Sequence, residues 1–218
     1  MIEELLSVKG WKLFLGIVFL NVVIAVVSQL TLIDETVFFN SYSEQLTYDR
    51  AIELFQEMRS FSWIAYAITF VMLILKFTSV SILIFIGVFF ADLQREITLG
   101  NVFKVVIISE LIFIAASVVK IVWFIFFVSS YTLEDLSFFY PLSLINLFTE
   151  SEVASYWVYP LQTVNLFQVL YVLMLAYGLG RVGGVRRQST DKVVLSTYIP
   201  GLAIWIAVVM FLTIDVMP

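Results

Sequence analysis

Apolar residues run almost unbroken over five stretches of this chain, 13–32, 61–91, 102–130, 156–180 and 193–214. A helix rises about 1.5 Å per residue and the hydrocarbon core of a bilayer is about 30 Å thick, so roughly 20 apolar residues suffice to cross it. Each stretch is long enough. The pattern predicts an all-α fold, a polytopic transmembrane helical bundle of five spans, with residues 1–218 forming a single integral membrane domain. The second and third stretches exceed what a crossing needs, which implies tilt or extension past the bilayer.

The segments between the stretches carry patterns of their own. Over 47–60 the apolar positions are Tyr48, Ala51, Ile52, Phe55 and Met58, the i, i+3, i+4, i+7 spacing of one helix face. Asp49, Arg50, Glu53, Glu57 and Arg59 fill the other face. This predicts an amphipathic interfacial helix in the first outer loop, lying on the bilayer or on its own bundle. The run from Phe138 to Phe148 is too apolar for a free loop and too short, and too broken by Pro141, to cross. A short re-entrant or interfacial segment is expected there.

Charge gives the bundle a direction. Lys and Arg in short loops favour the cytoplasmic side. Lys9 and Lys12 precede the first stretch, Arg95 and Lys104 lie around the second turn, and Arg181, Arg186, Arg187 and Lys192 follow the fourth stretch. These alternate segments hold eight of the twelve basic residues. The intervening segments are acidic: Asp34, Glu35, Glu44, Asp49, Glu53 and Glu57 in the first, Glu134, Asp135, Glu150 and Glu152 in the second, with Asp215 near the end. The arrangement predicts N-in/C-out topology, with the net charge of −5 concentrated outside. Trp11, Trp63, Tyr156, Trp157 and Tyr159 mark the edges of spans, where aromatic rings favour the interface. Lys9 and Lys12 before an apolar run also resemble a secretory signal. The run is long, and Val27-Ser28-Gln29-Leu30 offers no small-x-small cleavage site, so an uncleaved anchor is expected.

Composition removes much chemistry. The chain is 61% hydrophobic and 13% charged, and it has no His and no Cys. His- and Cys-ligated metals, thiol nucleophiles and a Ser-His-Asp triad are excluded. No Asp lies in a span core, which argues against an aspartyl intramembrane enzyme. No catalytic residue, cofactor or metal site is expected, and Glu150 and Glu152 read as solvated carboxylates. The acidic outer face lacks the basic footprint of a nucleic-acid binder. Gly178-Leu179-Gly180-Arg181-Val182-Gly183 matches a dinucleotide fingerprint in letters only, because a membrane helix and not a strand precedes it. Its glycines are expected to end the fourth span and turn the chain. Arg181, Arg186, Arg187 and Lys192 would then sit at headgroup level, in cytoplasmic contact with anionic lipid.

Three charges interrupt the second and third spans: Lys76, Glu110 and Lys120. Each costs roughly 2.5–3.5 kcal/mol on insertion scales, so such residues face protein or water. If the two spans form a tight hairpin with Ala91 level with Val102, Lys76 lies level with Ser117 and Glu110 about 10 Å nearer the cytoplasm. Gln162, Asn165 and Gln168 recur every third residue in the fourth span, and Asn21 adds an amide in the first. Lys76, Glu110, Lys120, Ser117, Asn165 and Gln168 therefore form a candidate intramembrane polar cluster. Two readings stand: a path for an ion or proton, or a structural arrangement in which Glu110 pairs with Lys76 and Lys120 snorkels outward.

The last third of the chain adds a family signal. Asn165-Leu166-Phe167, Leu175-Ala176-Tyr177-Gly178-Leu179-Gly180, Ser189-Thr190-Asp191-Lys192 and Ile199-Pro200 carry it. From Pro141 to Leu212 the chain resembles the Yip-domain family, small polytopic proteins named for Ypt/Rab-interacting proteins, in its bacterial form. The resemblance implies five spans, a cytoplasmic N-terminus and a non-enzymatic role in trafficking, membrane organisation or assembly. The Asp-Leu-Tyr-Gly-Pro motif of eukaryotic members is absent, so Rab binding is not implied. The expectation is a multi-pass adaptor or assembly protein of a bacterial cytoplasmic (inner) membrane, with membrane lipid and a membrane-protein partner and with no small-molecule substrate indicated. The alternatives are a small transporter or channel subunit using Lys76 and Glu110, and an accessory subunit of an envelope protein-export or secretion complex.

Overall fold

A computed structural model describes the backbone of residues 2–43 and 45–216 and the side chains of 4–43 and 45–214. Glu44, the Asp215 side chain and the last two residues, all in segments read above as acidic outer loop or tail, lie outside the described residues. The chain folds as α1 (Ile2–Ser7), α2 (Gly10–Leu32), α3 (Glu35–Tyr42), α4 (Tyr48–Ser60), α5 (Ser62–Phe90), α6 (Leu99–Ser109), α7 (Leu111–Phe127), α8 (Leu133–Phe138), α9 (Ser155–Thr163), α10 (Leu166–Gly183) and α11 (Arg187–Val216). Two 3-10 turns, Leu144–Leu147 and Glu150–Glu152, link α8 to α9. Among the described residues the only β-type pairing is one isolated bridge.

Five helices are long and apolar enough to cross a membrane: α2, α5, α6 with α7, α10 and α11. They are unequally covered. Half of the most apolar window of α6–α7 is buried, against 17% in α2 and in α11. The α6–α7 unit is thus the centre of the bundle, with α2, α5 and α10 packed around it and α11 lying against α5 and α10. Small residues set the closest approaches. A Cβ on Gly178 of α10 would stand 2.6 Å from Val105 Cγ1 of α6, and one on Gly87 of α5 would stand 2.5 Å from Thr197 Cγ2 of α11. Without a hydrophobic driving force in lipid, this close packing is what holds helices together.

Local chemistry decides where the helices stop. The third span starts at Leu99, not 102, because Thr98 is the N-cap: its hydroxyl accepts from the Asn101 N–H at 3.3 Å. It ends at Phe127, not 130. It is also broken at Glu110. Ser109 Oγ donates back to Val105 O at 2.8 Å, and Glu110 N turns to Ile107 O at 3.2 Å, one residue short of the α partner. Serine bonding back to the i−4 carbonyl bends helices in this way.

The fourth stretch, expected as one helix over 156–180, is two. Asn165 is extended, with φ −142° and ψ 164°, and its Oδ1 accepts from Gln168 N at 2.7 Å as the N-cap of α10. The freed backbone groups are satisfied by the segment before α9. Leu144 N donates to Val164 O at 3.0 Å and Leu166 N to Leu142 O at 3.1 Å, around the bridge between Ser143 and Asn165. The apolar 138–148 run is therefore folded against the entrance of α10.

Two other expectations shift. α10 runs to Gly183, and Gly184, at φ 61°, is the left-handed C-cap, so the glycines of the 178–183 run lie within the helix. α11 begins at Arg187, so Arg187 and Lys192 lie on helix and Arg181 lies on α10; only Arg186 is in the turn. Arg187 pairs with Asp191 one turn on, at 3.7 Å. That turn shares an end of the bundle with the N-terminus. Lys104 Nζ donates to Leu6 O at 3.4 Å, and Ile97 packs where a Cβ on Gly183 would stand. At the opposite end α4 lays Ala51 and Phe55 against Phe38 of α3, so the middle of its apolar face is covered by its own chain while Tyr48 and Met58 at its ends stay exposed.

Candidate functional site

The centre of the site is an ion pair inside the bundle. Lys76 Nζ, from the middle of α5, donates to both carboxylate oxygens of Glu110 at 2.8 Å each. The Glu110 side chain is 4% exposed and that of Lys76 37%. The register differs from the tight hairpin expected above. α5 ends at Phe90 and α6 starts at Leu99, which slides the third span about four residues against the second. Lys76 then stands level with Phe113, with its ammonium 4.3 Å from that ring and Glu110 within reach. Ser117, placed level with Lys76 by the sequence reading, is exposed and donates to Phe113 O in its own helix.

The break at Glu110 contributes twice. It ends the α6 ladder so that the carboxylate sits just before the first residue of α7, at the partly positive end of that helix. It also turns a residue of an apolar helix toward α5. A cation and a carboxylate that meet in a water-poor interior are each far less costly than either alone.

Aromatic rings close the pair in. The Phe113 and Tyr171 ring centres are 4.7 Å apart, Tyr171 and Tyr198 5.5 Å, and Lys76 Nζ is also 5.9 Å from the Tyr171 ring. Gln168 Nε2 donates to the Tyr198 hydroxyl at 2.7 Å. The Tyr171 side chain is fully buried, and its hydroxyl has no hydrogen-bond partner among the described residues. From the segment after α8, Tyr140 joins the group. Burial, and then the Glu110 carboxylate and Tyr159, push its phenol up to about 12. Residues of α5, the α6–α7 junction, α10, α11 and the 139–148 segment thus converge on one point.

Lys120, Asn165 and Gln162 do not join it. Lys120 Nζ donates to Leu136 O of α8 at 2.5 Å, so it reaches the short helix that follows its own span and not the Lys76–Glu110 pair. Gln162 of α9 donates to Ser137 O and Phe138 O, both at 2.7 Å. Together they satisfy three carbonyls at the end of α8, groups that a helix C-terminus leaves open. Asn165 is spent on its cap, and Asn21 donates to Ile17 O of its own helix. Of the candidate cluster, Lys76, Glu110 and Gln168 share the site. Phe113, Tyr140, Tyr171 and Tyr198 were not read from the sequence. Nothing in the spacing of these rings along the chain marks them as partners of the pair.

The acidic segment between α7 and α9 holds no ligand cage among its described residues. Glu152 accepts from Thr149 N at 2.8 Å, which lowers its carboxyl, while burial and then Glu134 and Asp135 raise Glu150. Among the described residues no three acidic side chains gather as a metal site would require. Comparison of the chain with family models, with curated proteins and with solved structures finds no match in any of the three.

Proposed function

We propose that this chain is a non-enzymatic, multi-pass membrane protein of the Yip-like class, acting as an adaptor or assembly subunit through helix contacts in the membrane. The observation that carries the reading is the use made of the intramembrane charges. Lys76 is held by Glu110 and Lys120 by the Leu136 carbonyl. The polar groups face inward, while α2 and α11 stay largely uncovered and apolar along their length. Such helices offer surface to lipid or to another membrane helix, and reading a partner there needs no chemistry inside the bundle. The basic end that contains the α10–α11 turn lies in the cytoplasm on this reading, with the acidic segments outside, α4 at the outer interface and a bacterial inner membrane as the setting. An accessory role in protein export is one form of the same reading, distinguished by the identity of the partner.

A specific observation favours a second reading, a small transporter. The break in the third span at Glu110 holds a buried ion pair, and the adjacent Tyr171 hydroxyl has no partner among the described residues. Interrupted helices beside intramembrane charges are how many transporters build a site. One experiment separates the two. The chain is extracted gently from native membranes, its co-purifying proteins are identified, and the isolated chain is tested for ion flux in liposomes. The adaptor reading expects a stoichiometric partner and no flux. A chain that emerges alone and conducts, with conduction lost in Glu110→Gln, overturns it.

A further inference from the structure

Between the outer ends of α2 and α5, beneath α3 and α4, lies a cleft of about 860 Å³. Its volume falls in the range of small-molecule sites, roughly 300–1,000 Å³. Its lining mixes polar and apolar side chains although two of its sides are membrane helices. Ser28 and Gln29 line it from α2, and Ser62, Tyr66 and Thr69 from α5. The Tyr66 hydroxyl donates to Gln29 Oε1 across the floor, which leaves the Gln29 amide nitrogen with no acceptor among the described residues. The rim carries charge of both signs. Arg59, at the last turn of α4, is exposed and makes no ion pair or side-chain hydrogen bond among the described residues. Asp34 and Glu35 face the same cleft from the start of α3, and both are exposed.

We infer that this cleft binds the headgroup of a zwitterionic phospholipid bearing a primary ammonium, of the phosphatidylethanolamine type. The Arg59 guanidinium takes the phosphate, as its planar fork suits. Asp34 and Glu35 take the ammonium. The Gln29 amide nitrogen faces the glycerol ester oxygens, while the Ser62 and Thr69 hydroxyls donate to Arg59 O and Ala65 O of their own chain segment. The depth agrees, because the cleft spans the last turns of α2, which ends at Leu32, and the first turns of α5, which starts at Ser62. These turns belong at the headgroup layer if the helices cross. Exposed Trp63, one residue into α5, belongs to the same layer. An anionic headgroup without an ammonium meets repulsion from the two carboxylates, and a free zwitterion lacks the acyl chains that hold a lipid beside the open flanks of α2 and α5.

The test uses the full chain, delipidated in detergent, with thermal unfolding followed as lipid is added. Phosphatidylethanolamine at about ten times its dissociation constant is expected to raise the midpoint by roughly 3–6 °C. Phosphatidylglycerol and free phosphoethanolamine at the same concentration are expected to raise it by less than half as much. Arg59→Gln is expected to abolish the rise. Asp34 Oδ1 caps α3 by accepting from Val37 N at 2.8 Å, and Asn caps as well as Asp, so Asp34→Asn combined with Glu35→Gln is expected to leave α3 capped and to erase the preference over phosphatidylglycerol. Arg50→Gln, on the same helix but bonded to Glu53 and outside the cleft, is the control and should behave as the unaltered chain. Equal shifts for the two lipids, a shift with free phosphoethanolamine as large as with the lipid, or an undiminished shift in Arg59→Gln would each overturn the assignment. Should Arg59→Gln unfold before measurement, native mass spectrometry of lipids retained by Arg59→Lys decides the point. Lysine keeps the charge but not the fork, so retained phosphatidylethanolamine should fall severalfold, and full retention counts against the site.

Discussion

Lys76 and Lys120 are the same residue in adjacent spans, and the bundle treats them differently. Lys76 meets a full opposite charge, bidentate, at a break in the central helix, with two aromatic rings around its ammonium. Lys120 meets one carbonyl, at the end of a short helix that Gln162 also caps. The first arrangement joins α5 to the core of the bundle, and the second fastens a surface helix to it. The lesson is that an intramembrane lysine does not announce its role. What it faces does, and that depends on where neighbouring helices break.

The largest effects should therefore come from the Lys76 side. Lys76→Met strands the buried Glu110 carboxylate without its cation. Removing one partner of a buried pair costs about 3–5 kcal/mol. Glu110→Gln strands the better-exposed lysine and costs less, about 1.5–3 kcal/mol, the size of a hydrogen bond to a charged group. The double variant should recover much of the Lys76→Met loss. Unfolding of the three variants in the same detergent measures the coupling, and additive losses would mean that the two residues act independently.

Next in size is the packing beside the pair. Gly178→Ala puts a methyl 2.6 Å from Val105 Cγ1. Valine in a helix has one strongly preferred rotamer, so it cannot swing away. Overpacking of this kind costs about 1–3 kcal/mol. Gly201→Ala is the matched contrast, because its clash, 2.2 Å to Leu83 Cδ2, falls on the far end of a flexible side chain. The first variant should lose more thermal stability than the second, and the reverse order would show that the α6–α10 contact yields.

Smaller again is the cap on α10. Asn165→Ala removes the acceptor for Gln168 N and the amide donor to Gln162 O and Thr163 O, and should cost about 1 kcal/mol or somewhat more; Asn165→Asp keeps the acceptor but sets a carboxylate oxygen against those two carbonyls, so it should not recover the loss. Hydrogen exchange at the first turn of α10 reports both. This cap also shows what was legible in advance. Five spans could be read from hydropathy because lipid demands long apolar helices whatever their packing. The breaks could not be read from hydropathy, since a single Asn or Glu barely changes a 20-residue average. Asn165 followed by Gln168 does have the Asn-x-x-Gln spacing of a helix start, and read that way it divides the fourth stretch where the structure does. The Lys76–Glu110 contact needed the helix-to-helix register. Register followed from the Thr98 cap and the length of the 91–98 turn, and a shift of a few residues moves a side chain by the full reach of a lysine. The aromatic residues around the pair, Phe113, Tyr140, Tyr171 and Tyr198, come from four separate segments, a convergence that no local spacing encodes.

The smallest effect falls on Lys120. Lys120→Met loses one charge-assisted hydrogen bond, worth about 1.5–3 kcal/mol, but also removes an ammonium from an apolar span, where insertion scales charge roughly 2.5–3.5 kcal/mol for it. The opposing terms nearly cancel, so stability should change by less than about 1 kcal/mol. The Ser137 and Phe138 carbonyls keep their bonds to Gln162, so α8 should stay in place, with faster exchange confined to its last turn. Unfolding and hydrogen exchange on this variant, set beside Lys76→Met, test the contrast directly. If Lys120→Met proves as damaging as Lys76→Met, the α8 attachment belongs to the core of the bundle and the distinction between the two lysines fails.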